Sequence, residues 1–279
     1  MDSENLSKFN AFLQTPPLWH GNYDGLEQFD FPKVDLEHLQ VEHIPQNIRL
    51  GHQMEYVFHQ LVQHSSRYRV NAYNIPIRQD KISLGEIDFI LRDLEKNKLV
   101  HVELTFKFYI LDPTFPNLIH QLIGPNKRDT FYAKKEKIKH HQIPLLYSKE
   151  GDRTLKDRDI EVKDLDHKVC FKGQVYIPLD LENQDLAPLN TECIAGFWMT
   201  RDNFSSFIRE DIQFYIPFKK EWPQNPTAGL QWQSYQEIEQ DLDSQLANKN
   251  SPMVWLKKSN GEFVKIFVVW WLGFVMPNF

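Results

Sequence analysis

The stretch Leu84-Gly85-Glu86-Ile87-Asp88-Phe89-Ile90-Leu91 sets an acidic residue among large apolar ones. Aspartate is depleted in strands and rarely buried without a partner, so a chain that writes Asp88 into such a run has to bring it one. The next segment supplies a candidate. A polar turn, Glu95-Lys96-Asn97-Lys98, leads into Leu99 to Ile110, and the two runs, Gly85 to Arg92 and Leu99 to Ile110, are expected to pair as an antiparallel hairpin. Read alternately, Val102, Leu104, Phe106, Phe108 and Ile110 face one way, and His101, Glu103, Thr105, Lys107 and Tyr109 the other. The second face is either the solvated side of a half-exposed strand or a polar site. The hairpin can set Asp88 beside Glu103. Two carboxylates about 4 Å apart repel by roughly 4 kcal/mol at an effective dielectric of about 20. Such a pair persists if one protonates or a cation sits between them, and Mg²⁺ or Mn²⁺ suits oxygen ligands.

Around the hairpin, residues 5–14 read as a short helix halted by Pro16-Pro17, and 18–46 as an extended, packed lead-in. Residues 47–64 carry Leu50, Met54, Val57, Phe58, Leu61 and Val62 at helical spacing. Glu55 borders that apolar face; it is either an edge residue with a solvated head or a third carboxylate turned toward the sheet. Val70 to Arg78 is a strand, with Pro76 at its edge or end. Pro125 and Asn126 are expected to open a helix running to about His141, followed by a strand at Ile143 to Tyr147. This order predicts an α/β (α+β mixed) fold, a mixed central sheet flanked by helices. Residues 150–168 read as a charged surface connection, 168–178 as a strand, and 195–216 as mixed. Residues 222–229 read as a loop, and Met253–Leu256 with Val264–Trp271 as a closing hairpin turned at Asn260-Gly261. A soft boundary near 150 divides a core, 1–150, from an extension, 151–279, that packs on the core or completes it.

The net charge of −6 gives no whole-protein basic signature, so a nucleic-acid partner has to meet a local patch. Such a patch is the 126–141 helix, with Lys127, Arg128, Lys134, Lys135, Lys137 and Lys139; the alternative is an ordinary solvated helix face. Cys170 and Cys193, in no metal-type spacing, read as reduced buried thiols of a cytoplasmic protein. The start, Met-Asp-Ser-Glu-Asn, lacks a signal-peptide pattern, and the apolar run Ile266 to Met276 is too short to span a bilayer. Trp198, Trp222, Trp232, Trp255, Trp270 and Trp271 are expected in the core rather than as base-stacking platforms.

Leu-Gly-His-Gln-Met-Glu (50–55), Leu-Gly-Glu-Ile-Asp-Phe-Ile-Leu-Arg-Asp (84–93), His-Val-Glu-Leu-Thr-Phe-Lys-Phe-Tyr-Ile (101–110) and Gly-Pro-Asn-Lys-Arg-Asp (124–129) together resemble a bacterial family, domain of unknown function eighteen-fifty-three. That family is grouped with the PD-(D/E)XK nuclease superfamily. The resemblance implies a restriction-endonuclease-like core with additional C-terminal strands and helices. It implies that Asp88 is the metal-binding aspartate of the second core strand, Glu103 the acidic residue of the (D/E)XK element, and Glu55 the helix glutamate. The superfamily's lysine falls where this chain has Thr105; Lys107 on the same strand face and Lys134 on the next helix are the substitutes. The expected activity is a Mg²⁺- or Mn²⁺-dependent phosphodiesterase acting on DNA or RNA, with Lys127, Arg128 and Lys135 on the nucleic acid. Its rivals are a degenerate module that binds nucleic acid or a protein partner, and a metal hydrolase of a small phosphorylated substrate.

Overall fold

The structure, a computed structural model, describes residues 3–37, 39, 41–181 and 186–271. In chain order, α1 (Ser3–Gln14) is followed by the small pair β1 (Asn22–Tyr23) and β2 (Leu26–Glu27). Then come α2 (Leu50–His64), β3 (Tyr68–Gln79), β4 (Ile82–Asp93) and β5 (Lys98–Leu111). The short α3 (Leu118–Gln121) and β6 (Leu122–Ile123) precede α4 (Phe131–Lys137), which continues through a π-helical turn at Ile138–Gln142 into α5 (Ile143–Leu145). The rest is α6 (Lys149–Lys156), β7 (Leu165–Pro178), β8 (Ile194–Thr200), α7 (Arg201–Phe207), β9 (Gln213–Tyr215), α8 (Tyr235–Ala247), β10 (Met253–Lys257) and β11 (Phe263–Val269). The fold class is α/β, with mixed sheet flanked by helices, as the element order predicts.

The chain divides into two units, and neither is one continuous segment. The first holds Met1–Phe106 and Ala133–Lys172, the second Lys107–Tyr132 and Gly173–Phe279. Residues on both sides of position 150 therefore share the first unit.

In the first unit the strand order is β3-β4-β5-β7. β4 pairs antiparallel with β3 and, through Phe89↔Val102 to Asp93↔Lys98, with β5. Asn97 turns this hairpin at φ 51°, a conformation asparagine tolerates. The fully buried face of α2 presents Met54, Val57, Phe58 and Leu61, and the Phe58 ring meets those of Phe12, Phe29, Phe31 and Phe89. Ile90, the next residue along β4, packs into a different cluster. It joins Ile75, Ile77 and Ile87 against Leu146, Leu155 and Ile160. Gly85 has φ 154°, a backbone conformation that favours glycine, and a Cβ there would stand 2.7 Å from Leu145 Cδ2, which would have to shift.

Three sequence expectations are corrected here. The basic helix begins at Phe131, not at residue 126: Gly124 and Lys127 N–H groups close a turn on Asp129 and Gly124 carbonyls, and Lys127 is left-handed at φ 55°. Residues 143–147 are helix and turn rather than a strand. Pro144 has no N–H to offer the carbonyl four residues back, and the helix widens before it instead, with Ile143 N–H bonding Ile138 O. The charged 150–168 stretch contains α6, capped by Ser148 Oγ accepting from Gly151 N–H at 3.0 Å.

In the second unit the order is β7-β8-β11-β10-β9, with β8 parallel to both β7 and β11 and the remaining pairs antiparallel. The β10–β11 hairpin turns at Gly261, φ 84°. Its core gathers Phe204, Phe214, Leu242, Val254, Leu256 and Ile266. Trp198, Trp222, Trp255 and Trp271 are buried, in line with a packing role; of the Ile266–Met276 run, residues 272–276 lie outside the described residues. Among the described residues no helix is long and apolar enough to cross a membrane, and Cys170 and Cys193 are buried free thiols.

Candidate active site

The β4–β5 ladder stops at Phe89↔Val102. Continuing that register, Asp88 stands opposite Glu103. Here the aspartate side chain takes over from the backbone: Asp88 Oδ2 accepts the Leu104 N–H at 2.8 Å. Glu103 is 1% exposed. Its Oε1 accepts from the Gln142 amide and lies 3.6 Å from Lys134 Nζ. Its Oε2 meets no N–H or hydroxyl donor, and the Asp88 and Glu103 carboxyls are hydrogen-bonded to each other. Gln142 Oε1 in turn accepts from Lys134 Nζ at 2.9 Å. Asp88, Glu103, Lys134 and Gln142 line a cleft of about 740 Å³.

Burial pushes both carboxyls up. Asp88 rises to about 6, chiefly by desolvation and further by the charge of Glu55, against the Leu104 N–H and Lys134. Glu103 rises well above the ordinary carboxylate range, by desolvation first and by Asp88 second, with Lys134 opposing. Both shifts favour the protonated carboxyls while no cation is bound.

Glu55 lines the same cleft, and burial raises it too, but its carboxylate is paired with His52 Nδ1 at 3.1 Å. Among the described residues no three His, Cys, Asp or Glu side chains gather as ligands of one ion. Glu55, Asp88 and Glu103, the three carboxylates expected from the sequence, all line this one cleft, Asp88 and Glu103 as neighbours across the hairpin and Glu55 on the helix wall. The residues fit a hard divalent cation of the Mg²⁺ type, which binds through one or two carboxylates and fills its shell with water and phosphate oxygens. Glu103 Oε2, a buried carboxylate oxygen that meets no N–H or hydroxyl donor, is the observation that supports the fit.

Of the two lysine candidates, Lys134 has its ammonium beside Glu103. Lys107 belongs to the second unit, where Asp129 Oδ2 accepts from it at 2.5 Å. The basic helix is not a free cationic stripe. Lys135 is 5% exposed and ion-paired with Asp24 and Glu136; Lys139 also pairs with Asp24. Lys127 and Arg128 lie in the turn before the helix, Lys127 with its ammonium 3.9 Å from the Trp271 ring centre. Besides Lys134, the cleft is lined by Arg78 and Lys137, both exposed, and by His141; of these the basic patch read from the sequence contains Lys137, and not Arg78 or His141. Gln142 was missed as well; the one local signal for it is Pro144, which imposes the π turn.

On the polar face of β5, His101, Glu103, Thr105 and Tyr109 are buried rather than solvated, and Lys107 is partly exposed. His101 is fully buried and held neutral, burial pulling it down to about 3; its Nδ1 faces His167 Nδ1 at 3.2 Å, and His167 Nε2 meets the Tyr147 hydroxyl at 2.7 Å. Thr105, standing where the superfamily lysine falls, is 3% exposed with no protein partner for Oγ1. Removing an unsatisfied buried hydroxyl recovers its desolvation cost, so Thr105→Val is expected to stabilise the protein by about 1 kcal/mol in urea unfolding. A loss of stability instead would mean that the hydroxyl has a partner, such as an ordered water.

Residues 4–269 match the family Domain of unknown function (DUF1853), and the chain belongs to that family. No curated protein and no solved structure matches it.

Proposed function

We propose that this DUF1853 member is a Mg²⁺- or Mn²⁺-dependent phosphodiesterase of the PD-(D/E)XK type, cutting DNA or RNA at the Asp88–Glu103 cleft in a cytoplasmic setting. The observation that carries the reading is the buried carboxylate pair with a lysine at its edge: Glu103, 1% exposed, with one oxygen that meets no N–H or hydroxyl donor and Lys134 Nζ 3.6 Å from the other. A bound divalent cation supplies a Lewis acid for the scissile phosphate and a water of lowered pKa. Asp88 and Glu103 hold that cation. Lys134 orients the attacking water and offsets negative charge on the phosphate, its ammonium kept in place by Gln142 Oε1. Arg78 and Lys137, on the cleft wall, take flanking phosphates, and this local patch offsets the net charge of −6. Glu55, with His52, adjusts the field at Asp88.

Calorimetric titration with Mn²⁺, on wild type and on the Asp88→Ala, Glu103→Ala double variant, tests the site. Saturable binding is expected in the first and none in the second. A panel of plasmid, single-stranded DNA, RNA and small phosphodiesters then assigns the substrate, with cleavage of nucleic acid expected only in the presence of Mg²⁺ or Mn²⁺. The second reading, a non-catalytic module that binds nucleic acid or a protein, is favoured by the contacts Gln142 and Lys134 already make with Glu103 Oε1. Failure of wild type to bind Mn²⁺ would decide for it.

A further inference from the structure

Lys265 stands in the middle of β11, in the second unit, and is 6% exposed. In register it lies opposite Trp255 of β10 and, one residue before the Ile266↔Phe197 pair, beside Gly196 of β8. Gly196 makes the room: a Cβ there would sit 2.1 Å from the Lys265 carbonyl oxygen and 3.2 Å from its Cβ. Among the described residues the Lys265 amine makes no hydrogen bond and no ion pair. Burial alone lowers its pKa, to about 7, with no carboxylate acting on it. The residue lines a cleft of about 400 Å³ of mixed character, with Ile194, Pro226 and Phe263 as its apolar lining and Asn225 and Glu262 as its polar lining. Glu262, at the same cleft, is engaged by Lys258 and Asn260. A lysine side chain is rarely buried to this degree, and here it ends at the cleft.

We propose that Lys265 is the covalent anchor of a second site, one that takes a small carbonyl compound with an apolar body, an aromatic or branched aliphatic aldehyde, as an imine. The unprotonated Nζ adds to the carbonyl carbon, a proton passes from nitrogen to oxygen, and water leaves as the C=N bond forms; no oxidant or reductant is consumed. A carboxylate ligand is disfavoured, because a lone amine gives it one charge-assisted bond and no second charge. An imine needs only the free amine, and it brings the apolar body of the ligand against Ile194, Pro226 and Phe263.

The test uses the full chain, benzaldehyde as the probe and sodium cyanoborohydride to trap the imine at pH 7, followed by peptide mapping. Benzylation is expected at Lys265 at least about tenfold faster than at exposed lysines such as Lys96, because far more of its amine is unprotonated at this pH. The rate should saturate with benzaldehyde concentration. Lys265→Met, which keeps an apolar stem, should lose the fast site while its thermal unfolding stays cooperative. Label spread over exposed lysines with Lys265 untouched would overturn the proposal. So would a rate linear in benzaldehyde up to its solubility, which reports a reactive amine without a binding cleft. Should Lys265→Met not fold, the wild-type map and the saturation curve still decide.

Discussion

Lys134→Ala is expected to slow phosphodiester cleavage by about 10²- to 10³-fold, the usual cost of removing one preorganised charge from a reacting phosphoryl or acyl centre. Lys107→Ala is expected to leave the rate within about twofold, the range of a partly exposed ion pair whose loss touches no reacting group. The geometry behind the contrast is direct. Lys134 Nζ is 3.6 Å from Glu103 and 19% exposed at the side chain, whereas Lys107 is spent on Asp129. Lys134→Arg should recover part of the rate, since the charge returns but Gln142 was placed for an ammonium. The measurement is kcat/KM on the best substrate of the panel in Mn²⁺, with circular dichroism to confirm folding. Normal cleavage by Lys134→Ala would remove this lysine from the mechanism.

The second large effect is on stability and carries a sign opposite to that of most carboxylates. Asp88 has a native pKa of about 6, above the roughly 3.9 of an unfolded aspartate. Between those values the native state binds more protons than the unfolded one, so stability falls as pH rises from about 4 through about 6. The loss from Asp88 is on the order of 2 to 3 kcal/mol. Glu103, also raised, extends the decline upward in pH. Glu103→Gln removes one of the two like charges and satisfies the neutral state by construction. In chelator it should therefore flatten the slope and unfold at a higher temperature than wild type at pH 8, while losing Mn²⁺ binding. On the proposed function, wild type with saturating Mn²⁺ should show the reverse trend, gaining stability with pH, because the cation would bind the ionised pair. Calorimetric Tm values at pH 5 and pH 8, with chelator and with Mn²⁺, check all of this. An unchanged slope in Glu103→Gln would mean that the pair does not share a proton.

What could be read from the amino-acid order was local. Asp88 lies in an apolar strand, and the turn at 95–98 sets the register that brings it opposite Glu103. Two-residue alternation and a four-residue turn suffice for that, and the α2 face and the β10–β11 hairpin followed from equally short patterns. The environment of these residues was not local. Alternation separated the two faces of β5 but could not say that the polar one is largely covered, because the residues covering it come from segments 30 to 70 positions away; His101 meets His167, and Glu103 meets Gln142.

The lysine question shows the same division. Lys107 was the nearer candidate by strand spacing, but a strand residue is bound to its own register and Lys107 met Asp129. Lys134 meets Glu103 from the helix that begins at Phe131, and the π turn before Pro144 carries Gln142, which bonds them both. A lysine-rich run likewise states how much charge is present but not where it is spent, and Asp24 neutralises Lys135 and Lys139 across more than a hundred residues of chain. The sequence alone determined which carboxylates meet, since that is a matter of backbone pairing between neighbours. Only the tertiary structure decided which cation and which amide complete the site, since those arrive on elements whose placement depends on the packing of the whole unit.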